Sequence, residues 1–197
     1  KALPRDGHPA FHLADFIVLA LHTGCRSGEL LGLEWDRVDL RNNLIRLEAK
    51  HTKSGKGRSV PINGTARAVL LNRARHRAEH CPDSPWVFVH SNPHWKGQRI
   101  HSVKKAFAAA CKRAQLEDCT PHTLRHTCAS WMVMAGRPLM EVRDILGHST
   151  VKMTERYAHL APENLRNAVN VLEDRSHSGH TGLCGVKTDG SGRVVSS

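Results

Sequence analysis

The sequence predicts an α+β domain that is mainly α-helical, with a small antiparallel β-sheet or hairpin in its N-terminal third. Apolar residues recur at helical spacing along much of the chain. Two short strand-like runs, at 44–48 and 58–62, are separated by a glycine-rich turn. The chain has 197 residues, of which 40% are hydrophobic, so it is large enough to bury a core.

The elements of the first half are predicted from apolar stripes and capping residues. A helix with a stripe that begins at Leu13 should end near Gly24, and a second short helix should follow over residues 29–33. Pro61 places the second strand at a sheet edge, because proline cannot donate a hydrogen bond to a neighbouring strand. Thr65 is expected to cap a third helix that buries Val69 and directs its arginines elsewhere, at positions 67, 73, 75 and 77.

The second half is predicted to be helical, with clear start and stop signals. One apolar stripe runs over residues 103–114, and Thr120 is the expected N-cap of the next helix, which should end at Gly136. A further helix should begin at Pro138 and end at Gly147, and a last one should cover residues 165–172. We therefore expect one domain over residues 1–175 and a flexible tail over residues 176–197. The stripe of the Thr120 helix is Leu124, Thr127, Cys128, Trp131, Met132 and Ala135.

The composition favours a polyanionic partner and excludes a membrane span. Lysine and arginine total 29 against 18 aspartates and glutamates, a formal charge of +11. No apolar run approaches the roughly 20 residues that a transmembrane helix needs, and no signal peptide is expected because residues 1–6 lack an apolar core segment. Six scattered cysteines indicate reduced thiols of a cytoplasmic protein. His122 and His126 have a spacing that could share zinc on a helix, but no further ligand pair accompanies them.

The candidate reactive residues lie near predicted helix ends. Tyr157 is the only tyrosine of the chain. His122 and Arg125 share a face at the start of a capped helix, where the free N–H groups attract anions. Arg26 follows a helix stop, and Glu29 could hold its guanidinium still for bidentate binding of phosphate. Each residue could equally be an ordinary surface or packing residue when it is considered alone.

Taken in order, these segments resemble the conserved boxes of the tyrosine recombinases, the phage-integrase family. The boxes are TGCRSGELLGL at 23–33, HTLRHT at 122–127, LGHS at 146–149 and MTERYAHL at 153–160. Between them, TKSGKGRSVPI at 52–62 resembles the β-hairpin that carries the family's catalytic lysine. The resemblance covers roughly residues 10 to 175 and implies an integrase-type catalytic domain. Several boxes in the right order are far more specific than one motif.

The resemblance implies a role for each matched residue. Tyr157 would attack a DNA phosphodiester and form a 3′-phosphotyrosyl intermediate, and Lys53 would protonate the leaving 5′-oxygen. Arg26 and Arg125 would bind the nonbridging oxygens, on which charge accumulates in the transition state. His122 would assist proton transfer to or from the tyrosine, and His148 would donate a hydrogen bond to a phosphate oxygen; Glu29 would orient the site.

Further basic residues are weaker candidates. Lys56, Arg58, Lys104 and Lys105 are expected either to contact DNA or simply to keep the surface soluble. His126 directly follows Arg125 and is expected to face another side of the helix as a structural residue. No metal or cofactor is expected, because arginine and lysine supply the positive charge and the acidic residues are dispersed.

The resemblance also implies partners and a location. The expected partner is double-stranded DNA, as a recombination site or a Holliday junction, bound by a homotetramer; off DNA a monomer is one possible state, which the sequence does not decide. The expected location is the cytoplasm, at the nucleoid of a bacterial or phage-infected cell. The family's N-terminal DNA-clamping domain is expected to be absent, and residues 162–173 resemble a segment that family members exchange between neighbouring subunits.

Three other functions remain open on the sequence alone. A type IB topoisomerase or a hairpin resolvase would use the same nucleophile. A basic DNA-binding module would need no catalysis at all, and a zinc-dependent binding protein would hold metal. The ordered boxes favour the recombinase.

Overall fold

A computed structural model describes residues 11–52, 55–90 and 92–161. The three strands follow the first two helices, and the elements after them in the described chain are all helical. The strands are β1 (Val38–Asp39), β2 (Leu44–Leu47) and β3 (Arg58–Pro61). The helices are α1 (Phe11–Thr23), α2 (Ser27–Leu31), α3 (Gly64–His80), α4 (Lys104–Arg113), α5 (Pro121–Met134), α6 (Leu139–Leu146) and α7 (Lys152–Glu155). The predicted α+β class, mainly helical with a small antiparallel sheet, is confirmed.

The sheet has the order β1-β2-β3, and both pairings are antiparallel. Ile45 of β2 pairs with Val60 of β3, and both side chains are fully buried. Pro61 lies in an edge strand, as predicted, because β3 has β2 as its one neighbour in the sheet. The strand β1 was not predicted, since two residues carry no periodicity that a sequence pattern can show.

The turn between α1 and α2 depends on Gly24. Its φ of +62° is a left-handed conformation that side chains other than glycine rarely adopt. A Cβ at this position would also lie 2.5 Å from the Leu146 side chain of α6, so the glycine allows α6 to approach the turn closely. The turn directs the chain into α2, whose N-cap residue is Arg26.

The predicted signals of α5 and α6 are confirmed. Thr120 is the N-cap of α5 and forms a capping box with Thr123, and Pro121 occupies the first helical position. The turn after α5 uses Gly136 at a φ of +75°, and Gly147 caps α6 at a φ of +66°. The two helices pack through a small apolar cluster of Ala129, Val133, Val142, Leu146 and Tyr157.

Four local predictions were wrong. Asn63, not Thr65, caps α3, because its side chain accepts a hydrogen bond from the backbone N–H of Ala66. Arg73 of α3 is 1% exposed and donates to the carbonyl oxygen of Val87. Trp131 is 50% exposed, and Ala135 is exposed as well. The buried face of α5 instead consists of Leu124, Arg125, Cys128, Ala129 and Val133.

Two predictions concern parts of the chain that are not described. The helix expected over residues 165–172 and the tail over residues 176–197 lie outside the described residues. Within residues 11–52, 55–90 and 92–161, none of the helices combines the length and the apolar character that a membrane crossing requires.

Candidate active site

A cleft of about 890 Å³ lies where the predicted reactive residues meet. Its lining combines residues from the α1–α2 turn, from α5 and from the segment after α6, and it contains cations and imidazoles but no aspartate or glutamate. A cleft with this charge favours an anionic ligand. The lining residues are Arg26, Ser27, His122, Arg125, His126, His148, Ser149, Lys152, Met153, Arg156 and Tyr157.

Tyr157 lies in the turn that follows α7. Its backbone N–H donates to the carbonyl oxygen of Thr154 at 3.0 Å, and the residue is 7% exposed. The ring belongs to the apolar cluster between α5 and α6, so the phenol is held by packing. Burial raises the pKa of Tyr157 above its ordinary value, although the charges of Arg156 and Arg125 oppose this. The hydroxyl is therefore protonated near neutral pH, and attack by its oxygen requires a proton acceptor.

Arg125 is buried and fixed by two backbone carbonyl groups. Its Nη1 donates to the carbonyl oxygen of Gly24 at 2.6 Å, and its Nη2 donates to that of Leu146 at 2.7 Å. Burial and then the charge of Arg26 lower the pKa of Arg125 to about 10, so the side chain remains a cation at neutral pH. The two anchors preorganise the guanidinium at the edge of the cleft.

Arg26 is fixed by Glu29, as the sequence predicted from their spacing. The backbone N–H of Arg26 donates to Glu29 Oε2 at 2.8 Å, and its Nη1 donates to Oε1 at 2.9 Å. Glu29 is 3% exposed. Burial opposes its ionisation, but hydrogen bonds from Arg58 and Arg26 outweigh this effect and lower the pKa of Glu29. The carboxylate is therefore charged and holds the Arg26 side chain at the cleft.

Arg58, a predicted DNA contact, is held by Glu29 and by the end of α6. Its Nη1 and Nη2 donate to the two carboxylate oxygens of Glu29 at 3.0 and 2.8 Å, and its side chain is 9% exposed. Its Nε donates to the carbonyl oxygen of Ile145 at 3.1 Å. This geometry favours a supporting role beneath the cleft. The sequence did not predict this role because the partners of Arg58, Glu29 and Ile145, are 29 and 87 positions away from it.

The end of α6 holds three arginines from three separate segments. The consecutive carbonyl oxygens of Ile145, Leu146 and Gly147 accept hydrogen bonds from Arg58, Arg125 and Arg26 respectively, the last at 3.5 Å. Helix C-termini leave carbonyl groups without helical partners, and their partial negative charge attracts cations. We call these three carbonyl groups the α6 carbonyl turn.

His148 follows the glycine that ends α6 and lines the cleft. Its Nδ1 lies 2.8 Å from Oγ1 of Thr154, which is fully buried. Burial, followed by the charges of Arg125 and Arg26, lowers the pKa of His148 to about 4. A neutral imidazole whose Nδ1 accepts from Thr154 carries its proton on Nε2, where it can be donated to a ligand.

Two imidazoles of α5 lie side by side near Tyr157. His126 Nδ1 is 2.5 Å from the Tyr157 hydroxyl oxygen, and the His122 and His126 ring centroids are 4.6 Å apart. The prediction that His126 faces another side of the helix was wrong. It lies four residues after His122, a spacing that places both side chains on one helix face, and this spacing was the signal that could have found it.

The remaining candidates lie outside the cleft or outside the described residues. Lys53 is not among the described residues. Lys56 is exposed beside a second cavity of about 390 Å³, and Lys104 and Lys105 are exposed at the start of α4. Across the described ranges, no group of three or more histidine, cysteine, aspartate or glutamate residues is arranged to hold a metal ion.

Comparison with solved structures defines the class of the fold. The catalytic domain of bacteriophage HP1 integrase superposes with a TM-score of 0.60 and 28% identity, covering 84% of each chain. The XerH site-specific recombinase bound to difH substrate, in a pre-cleavage complex, superposes with a TM-score of 0.66 at 22% identity and covers 87% of this chain and 49% of XerH. The fold is that of integrase and recombinase catalytic domains.

The chain belongs to the phage integrase family, because a sequence model of that family matches residues 5–164. The integrase of Salmonella phage P22 is 35% identical over 162 residues, covering 78% of this chain and 40% of the integrase. Tyrosine recombinase XerC of Corynebacterium glutamicum is 32% identical over 168 residues, covering 83% of this chain and 52% of XerC. The chain thus spans about half the length of these relatives.

Proposed function

We propose that the chain is the catalytic part of a site-specific DNA recombinase that cleaves and rejoins strands through a 3′-phosphotyrosyl intermediate. The observation that carries the proposal is the position of Tyr157, the only tyrosine of the sequence, in a cationic cleft with two anchored arginines. Membership of the phage integrase family supports the same reaction.

The first step is attack by the Tyr157 oxygen on phosphorus. The bond from phosphorus to the tyrosine oxygen forms, and the bond from phosphorus to the 5′-oxygen breaks. Arg26 and Arg125 bind the nonbridging oxygens, where charge increases as phosphorus becomes five-coordinate. Their carboxylate and carbonyl anchors fix both guanidinium groups before the substrate binds, so little reorganisation accompanies the reaction.

The leaving 5′-oxygen takes its proton from Lys53, and the tyrosine proton passes to an imidazole of the cleft. His122 assists this second transfer, and His148 donates its Nε2 proton to a phosphate oxygen. Rejoining reverses the step, because a 5′-hydroxyl attacks the phosphotyrosine and releases the phenol. The phosphotyrosyl bond conserves the energy of the phosphodiester, so the cycle needs no ATP.

Arginine and lysine provide the positive charge that metal ions provide in other phosphoryl-transfer sites. The lining residues of the cleft have no carboxylate oxygens, which are the preferred ligands of Mg²⁺. The donor set therefore suits a reaction that proceeds without metal.

The partner in this proposal is double-stranded DNA at a recombination site, and the active assembly is a homotetramer that passes through a Holliday junction. XerH, which has a similar fold, is bound to its difH substrate in the solved complex. The catalytic domain extends over residues 1–175, followed by a tail, and the protein acts in the cytoplasm at the nucleoid. Lys56, Lys104 and Lys105 contribute contacts to the DNA backbone.

A covalent trap tests the proposed function. The 197-residue chain is incubated with randomised duplexes that carry a nick, in the presence of EDTA, and denaturant-resistant adducts are separated on a gel. Cleavage beside the nick releases a short fragment that carries the 5′-hydroxyl. Because this fragment diffuses away, rejoining cannot occur and the phosphotyrosine persists. We expect a DNA-linked peptide that contains Tyr157, and no adduct from the Tyr157→Phe variant.

Two outcomes would contradict the proposal. Equal adduct formation by Tyr157→Phe would exclude this tyrosine as the nucleophile. DNA binding without any adduct, from the unchanged chain and from a longer chain that includes the preceding part of the protein, would indicate a binding module. Strand exchange between two trapped duplexes, rather than relaxation of a supercoiled plasmid alone, separates a recombinase from a topoisomerase.

A further inference from the structure

We infer that His126 is a catalytic residue that accepts the proton of Tyr157 during DNA cleavage and returns it during rejoining. This inference rests on the proposed function and deepens it, because it assigns the proton transfer to one of two neighbouring imidazoles. It depends on the hydrogen bond between the two side chains and on the surroundings of the histidine.

The contact between His126 and Tyr157 is direct. Nδ1 of His126 lies 2.5 Å from the phenolic oxygen, and the ring centroids are 6.0 Å apart. His126 belongs to a helix and Tyr157 to an apolar cluster, so both groups are held by the fold before DNA arrives. A candidate base must lie within hydrogen-bond reach of the proton that it removes, and His126 satisfies this requirement.

The surroundings of His126 keep its ring neutral and able to accept. The ring of His122 lies beside it, and the cations Arg125 and Arg156 line the same cleft. Burial, followed by the charges of these neighbours, lowers the pKa of His126. A neutral imidazole that accepts at Nδ1 carries its hydrogen on Nε2.

His122 is less well placed for this transfer. Its side chain is exposed, and within the described part of the chain the imidazole hydrogen-bonded to the Tyr157 hydroxyl is that of His126. The His122 ring meets the His126 ring edge to face, at 86°. We assign His122 to the neighbourhood of the base, where its ring packs against that of His126.

The proton balance of the step is complete. As the Tyr157 oxygen bonds to phosphorus, its proton moves to Nδ1 of His126, which becomes an imidazolium. The 5′-oxygen leaves with a proton from Lys53, the general acid of the proposed function. In the reverse direction His126 protonates the phenol as it leaves, and the lysine accepts the proton of the attacking 5′-hydroxyl.

The single tyrosine makes a specific test practical. Growth on fluorotyrosine labels Tyr157 alone, because the sequence has no other tyrosine. The fluorine NMR signal of the DNA-free protein should shift when His126 is replaced by Phe, and not when the exposed His159 is replaced by Phe. An unchanged signal and titration curve in His126→Phe would overturn the hydrogen bond itself.

Cleavage rates then test the proton transfer. With a nicked duplex selected by the unchanged chain, we expect His126→Phe to reduce single-turnover adduct formation about 10²-fold to 10⁴-fold, with DNA affinity maintained. His126→Gln should be similarly slow, because an amide can hydrogen bond but cannot take the proton. His159→Phe should cleave at the unchanged rate.

Fluorotyrosine also distinguishes a base from a residue that only positions the ring. A phenol with a lower pKa ionises more readily, so fluorotyrosine should accelerate cleavage by His126→Phe by up to about tenfold for each unit by which the pKa falls, and should accelerate cleavage by the unchanged chain much less. Equal acceleration of both proteins, or fast cleavage by unlabelled His126→Phe, would overturn the inference alone. Failure of the unchanged chain and the longer chain to form any adduct would overturn the proposed function and this role together, while the fluorine signal still reports the hydrogen bond.

Discussion

Glu29 and Arg58 form a bidentate ion pair beneath the cleft, although 29 positions separate them in the sequence. The same carboxylate binds the backbone N–H and the guanidinium of Arg26. One buried charge therefore connects strand β3 to an arginine of the candidate active site. This connection explains why an acidic side chain is present next to a site that is otherwise cationic.

Replacement of Glu29 by Gln should lower both stability and activity. The change keeps the shape of the side chain but leaves the buried Arg58 without an opposite charge, which costs about 3 to 5 kcal/mol in the free energy of unfolding. Denaturant unfolding followed by tryptophan fluorescence measures this loss. The exposed pair of Arg137 and Glu141 provides the control, and Glu141→Gln should unfold like the unchanged chain. Similar unfolding midpoints for the two variants would contradict the buried-pair argument.

Gly147→Ala should disturb the site through Arg58. The residue has a φ of +66°, and a Cβ there would lie 2.8 Å from the Arg58 side chain. The left-handed conformation alone costs alanine about 1 kcal/mol, and displacement of Arg58 adds to this cost. Gly136→Ala is the matched control, because Gly136 also follows a helix end at positive φ but is exposed. We expect Gly147→Ala to lose more unfolding free energy than Gly136→Ala and to form adducts more slowly. Equal losses would show that Arg58 adapts without cost.

Lys56 and Arg58 should respond differently to salt. Lys56 is exposed, so Lys56→Ala should weaken DNA binding and reduce the slope of log affinity against log salt by about one. Arg58→Lys should leave that slope unchanged and lower the unfolding free energy, since lysine cannot form the bidentate pair with Glu29. Fluorescence anisotropy with a labelled duplex at several salt concentrations measures the slopes. A reduced slope in Arg58→Lys would instead support the phosphate contact that the sequence suggested.

Mild acid should destabilise the domain, partly through His148. Its pKa in the folded protein is about 4, below the ordinary value of 6.5. The unfolded chain therefore binds the proton more readily, so the stabilisation is complete above about pH 6.5 and is lost as the pH falls towards 4. Urea unfolding at neutral pH and at two acidic pH values should show this decrease, and His148→Gln should show a smaller one. Burial and then the charge of Arg73 lower the pKa of His12 to about 4 as well. The loss of stability that is due to His12 therefore remains in His148→Gln. An equal decrease in both proteins would contradict this role of His148.

Much of the fold was predictable because its signals are local. Thr120, Gly136 and Gly147 set helix ends through their own backbone preferences, and these predictions are confirmed. Trp131 was misplaced because an apolar stripe on a short helix does not show where the helix packs; its side chain meets His22 at an exposed edge. Arg73 was misplaced because charged residues are seldom buried, and only the tertiary structure places Val87 and Phe88 beside it.

The family boxes identified residues of the candidate site, but they did not show which side chains from distant segments are in contact. The spacing of Arg26 and Glu29 predicted their pairing within one turn of chain. The boxes did not indicate that His126 reaches Tyr157, because the two residues are 31 positions apart and the helices α6 and α7 lie between them. The supporting role of Arg58 depends on the packing of β3 against α6, which no local pattern specifies.

The α6 carbonyl turn also determines when the site can exist during synthesis of the protein. Arg26, Arg58 and Arg125 are followed at distances of 121, 87 and 21 positions by the carbonyl groups that fix them. A nascent chain that has passed Arg125 but has not reached Ile145 contains all three arginines but none of these acceptors. Closing such long loops is a late event in folding. In the proposed function, DNA cleavage therefore becomes possible only after translation has passed the end of α6 and Tyr157 and the helical half has folded, so an incomplete chain carries the three arginines without a competent site.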